Sequence, residues 1–273
     1  MSESKNIVLS CRNVSIRYIT GDLKSIGLKE YILRKLTGAY SIQEFWADKN
    51  ISFELCKGDL LGIIGTNGAG KSTLLKAVSG IMIPSSGNLY VRGKIAALLE
   101  LAKGFDNELT VIENTFLRGA LLGYSKNFML EKYDEIIAYA DLEEFQEHLF
   151  KQLSSGMKSR LAFAIACFVK PDILILDEVL AVGDGMFRKK SEQTMKEILA
   201  NGVTGLFVSH SLTSVRKMCN KILWLDHGEQ VTFTDRVQEC CDAYEHFLTT
   251  KRLPAAHEIP VYAAEFQKKT AQK

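Results

Sequence analysis

Gly65-Thr66-Asn67-Gly68-Ala69-Gly70-Lys71-Ser72-Thr73 fits the pattern G-x-x-x-x-G-K-[ST]. The residue types explain the pattern. Glycines let successive backbone N–H groups turn inward on a phosphate chain with no side chain in the way. The Lys71 ammonium is a mobile point charge for β and γ phosphates. The Ser72 hydroxyl is small enough to ligate Mg²⁺. The flanks agree with this reading. Asp59-Leu60-Leu61-Gly62-Ile63-Ile64 reads as a buried strand, and Lys71 to Val78 as a helix whose N-terminus adds a favourable dipole for phosphate.

Outward from this point the chain alternates strand and helix. Ile7 to Tyr18 and Asn50 to Leu55 have the short alternation of edge strands. Ser85-Ser86-Gly87 marks a turn, and Leu89 to Leu99 reads as one or two strands. Thr110 to Gln152 is helical and charged, with a capping box at Thr110-Val111-Ile112-Glu113. Ser155 to Val169 is a largely apolar helix, expected to be buried. Asp172 to Glu178 reads as a buried parallel strand bounded by acids. A helix over Phe187 to Leu199 and a buried strand at Leu206 to Val208 follow. Next come a helix from Leu212 to Met218 and a hairpin turning at His227-Gly228. A last helix runs from Arg236 to Leu248, with Val237, Cys240, Cys241, Tyr244, Phe247 and Leu248 as its stripe. The alternation predicts an α/β fold with a mainly parallel sheet covered on both faces.

Composition narrows the function. The 273 residues suffice for one large α/β domain or two small ones, and 47% of them are apolar. A formal net charge of +2 argues against a strongly basic nucleic-acid binder, and no nucleic-acid partner is expected. Six cysteines without C-x-x-C spacing signal neither a zinc site nor a disulfide framework. The polar start Met1 to Asn6 is not a signal peptide. The longest apolar run, Leu161 to Val169, is far short of the ~20 residues that span a bilayer.

Asp177 and Glu178 end a buried strand, where α/β proteins gather their ligands. One carboxylate there can hold Mg²⁺, and its neighbour can orient or deprotonate a water attacking a γ-phosphate. Leu153-Ser154-Ser155-Gly156-Met157-Lys158 opens the apolar helix. Ser154, the Gly156 backbone and the helix start form an anion site. An ordinary helix cap has the same residues.

At this point the order of motifs resembles the ABC-family ATPases, whose signature is usually written L-S-G-G-Q. Ser155 and Met157 depart from it. The resemblance implies a P-loop NTPase (RecA-like) core with an antiparallel β edge and an inserted helical subdomain at about 105–165. It implies ATP and Mg as cofactors. Tyr18 would stack on adenine, and Gly65 to Thr73 would cradle the phosphates. Lys71, Glu178 and His210 would be catalytic. Ser72 and Asp177 would hold the metal. Ser154, Ser155 and Gly156 would reach the nucleotide of a second copy. Leu180-Ala181-Val182-Gly183-Asp184 occupies the place of the segment that contacts the opposite subunit. Most of the family has a Gln before the helical subdomain. Here the nearest polar counterpart is Glu100, which can ligate Mg²⁺ but cannot donate as an amide does.

Glu100 to Phe105, Val179 to Asp184 and Phe45-Trp46-Ala47 together resemble the ATPase subunits of polysaccharide and teichoic-acid exporters. That likeness implies a cassette over 1–250 and an insert at 19–46 carrying an amphipathic helix. Leu28, Tyr31, Ile32 and Leu36 share one face of it, with Lys24, Lys29, Arg34 and Lys35 around them, which suits a lipid interface. It further implies a second copy, a polytopic permease, and lipid-linked O-antigen, capsule or teichoic acid as cargo. The site of action would be the cytoplasmic face of a bacterial cell membrane. Residues 251–273, with Pro254 and Pro260, read as an extended appendage. A soluble ABC-type ATPase acting on ribosomes or DNA is the alternative, although neither a second cassette nor a coiled-coil insertion is present. A P-loop GTPase is disfavoured, because Asn220-Lys221-Ile222-Leu223 lacks the Asp that reads guanine.

Overall fold

The computed structural model describes residues 6–20, 43–97, 104–177, 185–209 and 211–254. Glu100, Glu178, His210, most of the expected insert and the tail past 254 lie outside the described residues.

The chain runs β1 (Ile7–Thr20), β2 (Gln43–Cys56), β3 (Leu60–Ile64), α1 (Lys71–Val78), β4 (Ser86–Val91) and β5 (Ile95–Ala97). It continues with α2 (Val111–Leu121), α3 (Lys126–Ala140), α4 (Ser155–Phe168), β6 (Ile173–Asp177), α5 (Gly185–Ala200) and β7 (Thr204–Val208). It closes with α6 (Leu212–Met218), β8 (Lys221–Asp226), β9 (Glu229–Thr234) and α7 (Val237–Thr250). Two short 3₁₀ turns, Glu143–Phe145 and Phe150–Gln152, join α3 to α4.

Among the described residues these strands form one mixed sheet in the order β4-β1-β2-β9-β8-β3-β7-β6-β5. Strand β3 pairs in parallel with β7 and β8, and β6 with β5 and β7. The β4-β1-β2 edge is antiparallel, as is the β8–β9 hairpin. Both faces of β3 are covered, which is why all five of its residues are buried and none is charged. Leu61 and Ile63 pack with Leu74, Leu75 and Val78 of α1 and with Ile51, Phe53 and Leu55 of β2. On the opposite face Leu60 and Ile64 join Phe163 of α4, Phe187 of α5 and Trp224, Tyr244 and Phe247 of the C-terminal part.

Asn220 and Lys221 serve this core. Asn220 Oδ1 accepts from the Leu60 N–H at 2.8 Å, and Lys221 Nζ lies 2.7 Å from the Asp59 carboxylate. Both residues therefore pin the start of β3 rather than read a base.

The helical subdomain has its own core of Val111, Met129, Ile136, Ile137, Phe150, Leu161 and Ile165. Phe105 and Phe150 stack at 4.5 Å with nearly parallel rings, tying its entry to its exit. The capping box at α2 is present. Thr110 Oγ1 accepts from the Glu113 N–H at 3.2 Å, and Glu113 accepts from the Thr110 N–H at 2.8 Å.

The long charged stretch is not continuously helical, because Asp141 takes a left-handed conformation that ends α3. The turn expected at Ser85-Ser86-Gly87 falls partly inside β4, which begins at Ser86. A further difference lies at β2. It starts at Gln43, seven residues before the alternating run that marks it in the sequence. Its extra residues are held by the end of β1, with Arg17 opposite Trp46 and Tyr18 opposite Phe45.

Candidate functional site

The phosphate loop leaves β3 and turns into α1 around the Lys71 side chain. Lys71 is buried, and its ammonium donates to the carbonyls of Gly65 at 2.6 Å and Thr66 at 2.9 Å. The loop is thereby wrapped on the cation. Two glycines are obligatory for steric reasons. A Cβ on Gly65 would run into the Leu225 carbonyl oxygen, and one on Gly70, at φ 104°, into the carboxyl of Asp48. Gly70 also caps α1 without any side-chain hydrogen bond, which leaves the N–H groups of the helix start open to an anion.

Above the loop is an open cavity of about 450 Å³. Tyr18, Phe45, Ala47, residues 67–73 and Val208 line it. The cavity brings Tyr18 and the loop residues from Asn67 to Thr73 together. Gly65 and Thr66 sit on the loop's other flank, in a hollow of about 240 Å³ shared with Ser209 and with Tyr244 and Leu248 of α7. The Tyr18 hydroxyl stands 3.5 Å from Thr73 Oγ1. Ser72 is exposed at the head of α1, where a hydroxyl is free to turn to a metal.

The sheet delivers the acidic strand end to the same place. Asp177, the last residue of β6, pairs with Val208 of β7, and Val208 lines the cavity. The C-terminal ends of β3, β6 and β7 thus converge where parallel sheets bind ligands.

Ser154, Ser155 and Gly156 are not brought to this cavity. Ser154 caps α4, its Oγ accepting from the Met157 N–H at 3.2 Å, and both serines are exposed. An outward anion site at a helix start fits a ligand presented by another molecule.

Two residues of the site were not singled out as site residues in the sequence. Phe45 lines the cavity while 60% exposed, directly across the β1–β2 ladder from Tyr18. Its signal was an aromatic doublet, Phe45-Trp46, ending an irregular stretch. Asp48 is wholly buried against Gly70, and burial pushes its carboxyl up from the usual range to about 7. Nothing in its polar neighbours Lys49 and Asn50 announced that burial.

Residues 49–181 match the family model described as ABC transporter. The chain is 42% identical, over 81% of its length, to the teichoic acids export ATP-binding protein TagH of Bacillus anthracis, and covers 39% of that protein. It is 37% identical to the TagH of Listeria monocytogenes, over 89% of this chain and 71% of that one. It is 37% identical to the O-antigen export system ATP-binding protein RfbB of Klebsiella pneumoniae, over 81% of this chain and 90% of that one. The chain spans about two fifths of the length of the first two Bacillus relatives, at 39% and 43%. Among solved structures, an ATP-binding subunit of an ABC transporter superposes with a TM-score of 0.66 at 20% identity, over 97% of this chain and all of that one. A dimeric ATP-binding cassette bound to ADP and Pi superposes with a TM-score of 0.63 at 23% identity, over 83% and 97% of the two chains. At such identities the structures show the fold.

Proposed function

The chain belongs to the ABC transporter ATP-binding family, and on that premise we propose that it is the ATP-hydrolysing subunit of an exporter of lipid-linked cell-surface polysaccharide. The observation that carries the proposal is the phosphate loop folded around a buried Lys71, opening into a cavity walled by Tyr18. Relatives of 37–42% identity named for teichoic-acid and O-antigen export supply the cargo class. O-antigen, capsule and teichoic acid are all members of it.

In this reading the open N–H groups at Gly70 and the α1 start hold the β-phosphate, and Lys71 balances charge on the β and γ phosphates. Tyr18 stacks on the adenine. Ser72 and Asp177 are the residues that would hold Mg²⁺, joined by Glu100. Their hydroxyl and carboxylate oxygens are the hard donors that this ion takes. The metal would neutralise charge developing on the transferred phosphoryl group. Glu178, next to Asp177, takes the proton of the attacking water. His210, two residues beyond the end of β7, contacts the γ-phosphate.

Ser154, Ser155 and Gly156 face outward because they complete the site of a second copy. Nucleotide that binds the closed pair more tightly than the open one drives closure, and hydrolysis reverses it. A permease in the membrane converts this motion into transport. Among the described residues no helix is long and apolar enough to cross a membrane. The assembly would sit at the cytoplasmic face, with the expected insert helix toward the lipid. Residues 251–273 would be an extended appendage beyond the cassette.

The test is ATP turnover by the purified chain with its permease in vesicles, with and without lipid-linked polymer. Turnover without any export of polymer would confine the chain to ATPase chemistry. Absence of nucleotide binding would remove the whole reading.

A further inference from the structure

Asp48 is wholly buried, yet neither of its carboxyl oxygens has a hydrogen-bond partner among the described residues. A buried carboxyl without a partner is costly, and it is found where something else requires it. Its position is specific. It fills the space that a side chain on Gly70 would need, so the two are in contact. Gly70 lines the phosphate cavity, whereas Asp48 does not. The glycine therefore separates a buried acid from the place where phosphates would lie. Asp48 is locked there from the other side as well. The Lys49 N–H donates to the Gly228 carbonyl at 2.7 Å, and the Gly228 N–H reaches the Ala69 carbonyl at 3.3 Å. Strand β2, the β8–β9 turn and the phosphate loop form one clasp around the carboxyl.

An ionised Asp48, itself out of reach of water, and a bound phosphate chain would be like charges across one residue of backbone. Like charges in one site favour protonation of the weaker acid. We propose that a nucleoside di- or triphosphate entering the phosphate loop drives a proton onto Asp48, so that nucleotide binding and proton uptake are coupled at this residue. The inference rests on the reading that the loop binds nucleotide.

The surrounding groups leave Asp48 as the one poised to respond. On β1 the residue opposite it is the apolar Ile16, and the Cys11 thiol, which burial and then the Asp48 charge hold far up, stays neutral. From the loop and α1 comes Lys71, whose ammonium is directed to the Gly65 and Thr66 carbonyls. The β8–β9 turn brings Asp226 and His227, the latter with a side chain 91% exposed. On its own strand Lys49 pairs outward with Glu229 at 3.5 Å. With its carboxyl pushed to about 7, Asp48 is partly ionised at neutral pH and can take up as much as the missing fraction of a proton. The proton comes from the buffer, and no bond other than O–H forms.

The experiment is calorimetric titration of the full chain with Mg·ADP at neutral pH, in two buffers of different ionisation enthalpy. The wild type should take up a fraction of a proton that Asp48→Asn does not. Its Kd should rise about fivefold more than that of the variant between about pH 6.5 and about pH 8.5. Mg·tripolyphosphate should drive the same uptake, because the coupling is to phosphate. Equal uptake in wild type and variant would overturn the proposal. So would a wild type that binds Mg·ADP with no uptake, a result that needs no variant. Failure of Mg·ADP to bind at any pH would overturn the nucleotide reading itself, and this proposal with it. Asp48→Leu serves as a second variant where the Asn side chain disturbs the clasp.

Discussion

The Lys71 ammonium closes the phosphate loop on itself by donating to the Gly65 carbonyl at 2.6 Å. The cation thus has a structural partner before any ligand arrives, and it must exchange loop carbonyls for phosphate oxygens on binding. Lys71→Ala should lower ATP affinity by at least about tenfold, since a charge-assisted contact to phosphate is worth ~1.5–3 kcal/mol. Lys71→Arg should fail almost as badly, because a planar fork cannot replace a compact point charge in a buried turn. Titration of the variants with Mg·ATP checks both. Wild-type affinity in Lys71→Ala would remove the residue from the site.

Stability should depend on pH through Asp48. Its folded-state carboxyl is raised to about 7 by burial, well above an ordinary carboxylate. The sign follows from linkage. A group raised on folding favours the folded state at low pH, and that advantage is lost as pH climbs from about 4 through about 7. The wild type should therefore lose roughly 2 kcal/mol relative to Asp48→Asn between about pH 5 and about pH 8. This figure is discounted from the full linkage value because buried carboxyls relax. Urea unfolding of both proteins at the two pH values measures it. A wild type whose stability tracks the variant across the range would show that the carboxyl is not held neutral.

Asp48 also marks where the sequence stops being legible. The phosphate loop, α1 from Lys71 to Val78, the Thr110 capping box and the hairpin at His227-Gly228 were all readable. Each is fixed by residues within a few positions of one another. Asp48-Lys49-Asn50 is locally a polar turn. Within β2 its Asp48 is nevertheless wholly buried, while Lys49 and Asn50 stay exposed, because Gly70 and Gly228, the latter 180 positions away, close over the carboxyl. Phe45 escaped for the same reason, since its partner Tyr18 lies across an intervening segment of 26 residues. The outward Ser154 was legible as a helix cap, whereas its proposed role toward a second copy came only from the order of motifs.

Helix α2 depends on its cap. Thr110→Ala removes the acceptor of the Glu113 N–H and should cost about 1 kcal/mol. The return contact from Thr110 holds the Glu113 carboxyl below its usual range. A depressed acid stabilises above its unfolded pKa, and the benefit fades as pH falls through the folded one. The larger cause, the Thr110 N–H, survives in Thr110→Ala, and only the hydroxyl contact is lost, so the gap between wild type and variant should narrow only slightly in acid. Thermal unfolding at neutral and acid pH would show it. An unchanged gap would assign the whole effect to the threonine acceptor.

The composite site is tested by Ser154→Arg. Ser154 is exposed at the α4 start and takes no part in the chain's own phosphate cavity. A bulky cation there should leave binding of ATP to the single chain within about twofold of wild type, as for a surface change. Turnover should fall by more than about a hundredfold, because the arginine blocks closure against the nucleotide of a second copy. Lys71→Ala fails for the opposite reason, its own loop being empty. When the two inactive proteins are mixed, one pairing unites an intact loop with an intact Ser154. Part of the turnover should return, rising with the product of the two concentrations. Glu178→Gln supplies the control. Its amide cannot accept the proton of the attacking water. It should trap an ATP-bound pair, visible by size-exclusion chromatography, which Ser154→Arg in the same chain should abolish. A trapped pair that survives Ser154→Arg, or a mixture that recovers no activity, would place Ser154 in an ordinary helix cap and leave each chain to complete its site alone.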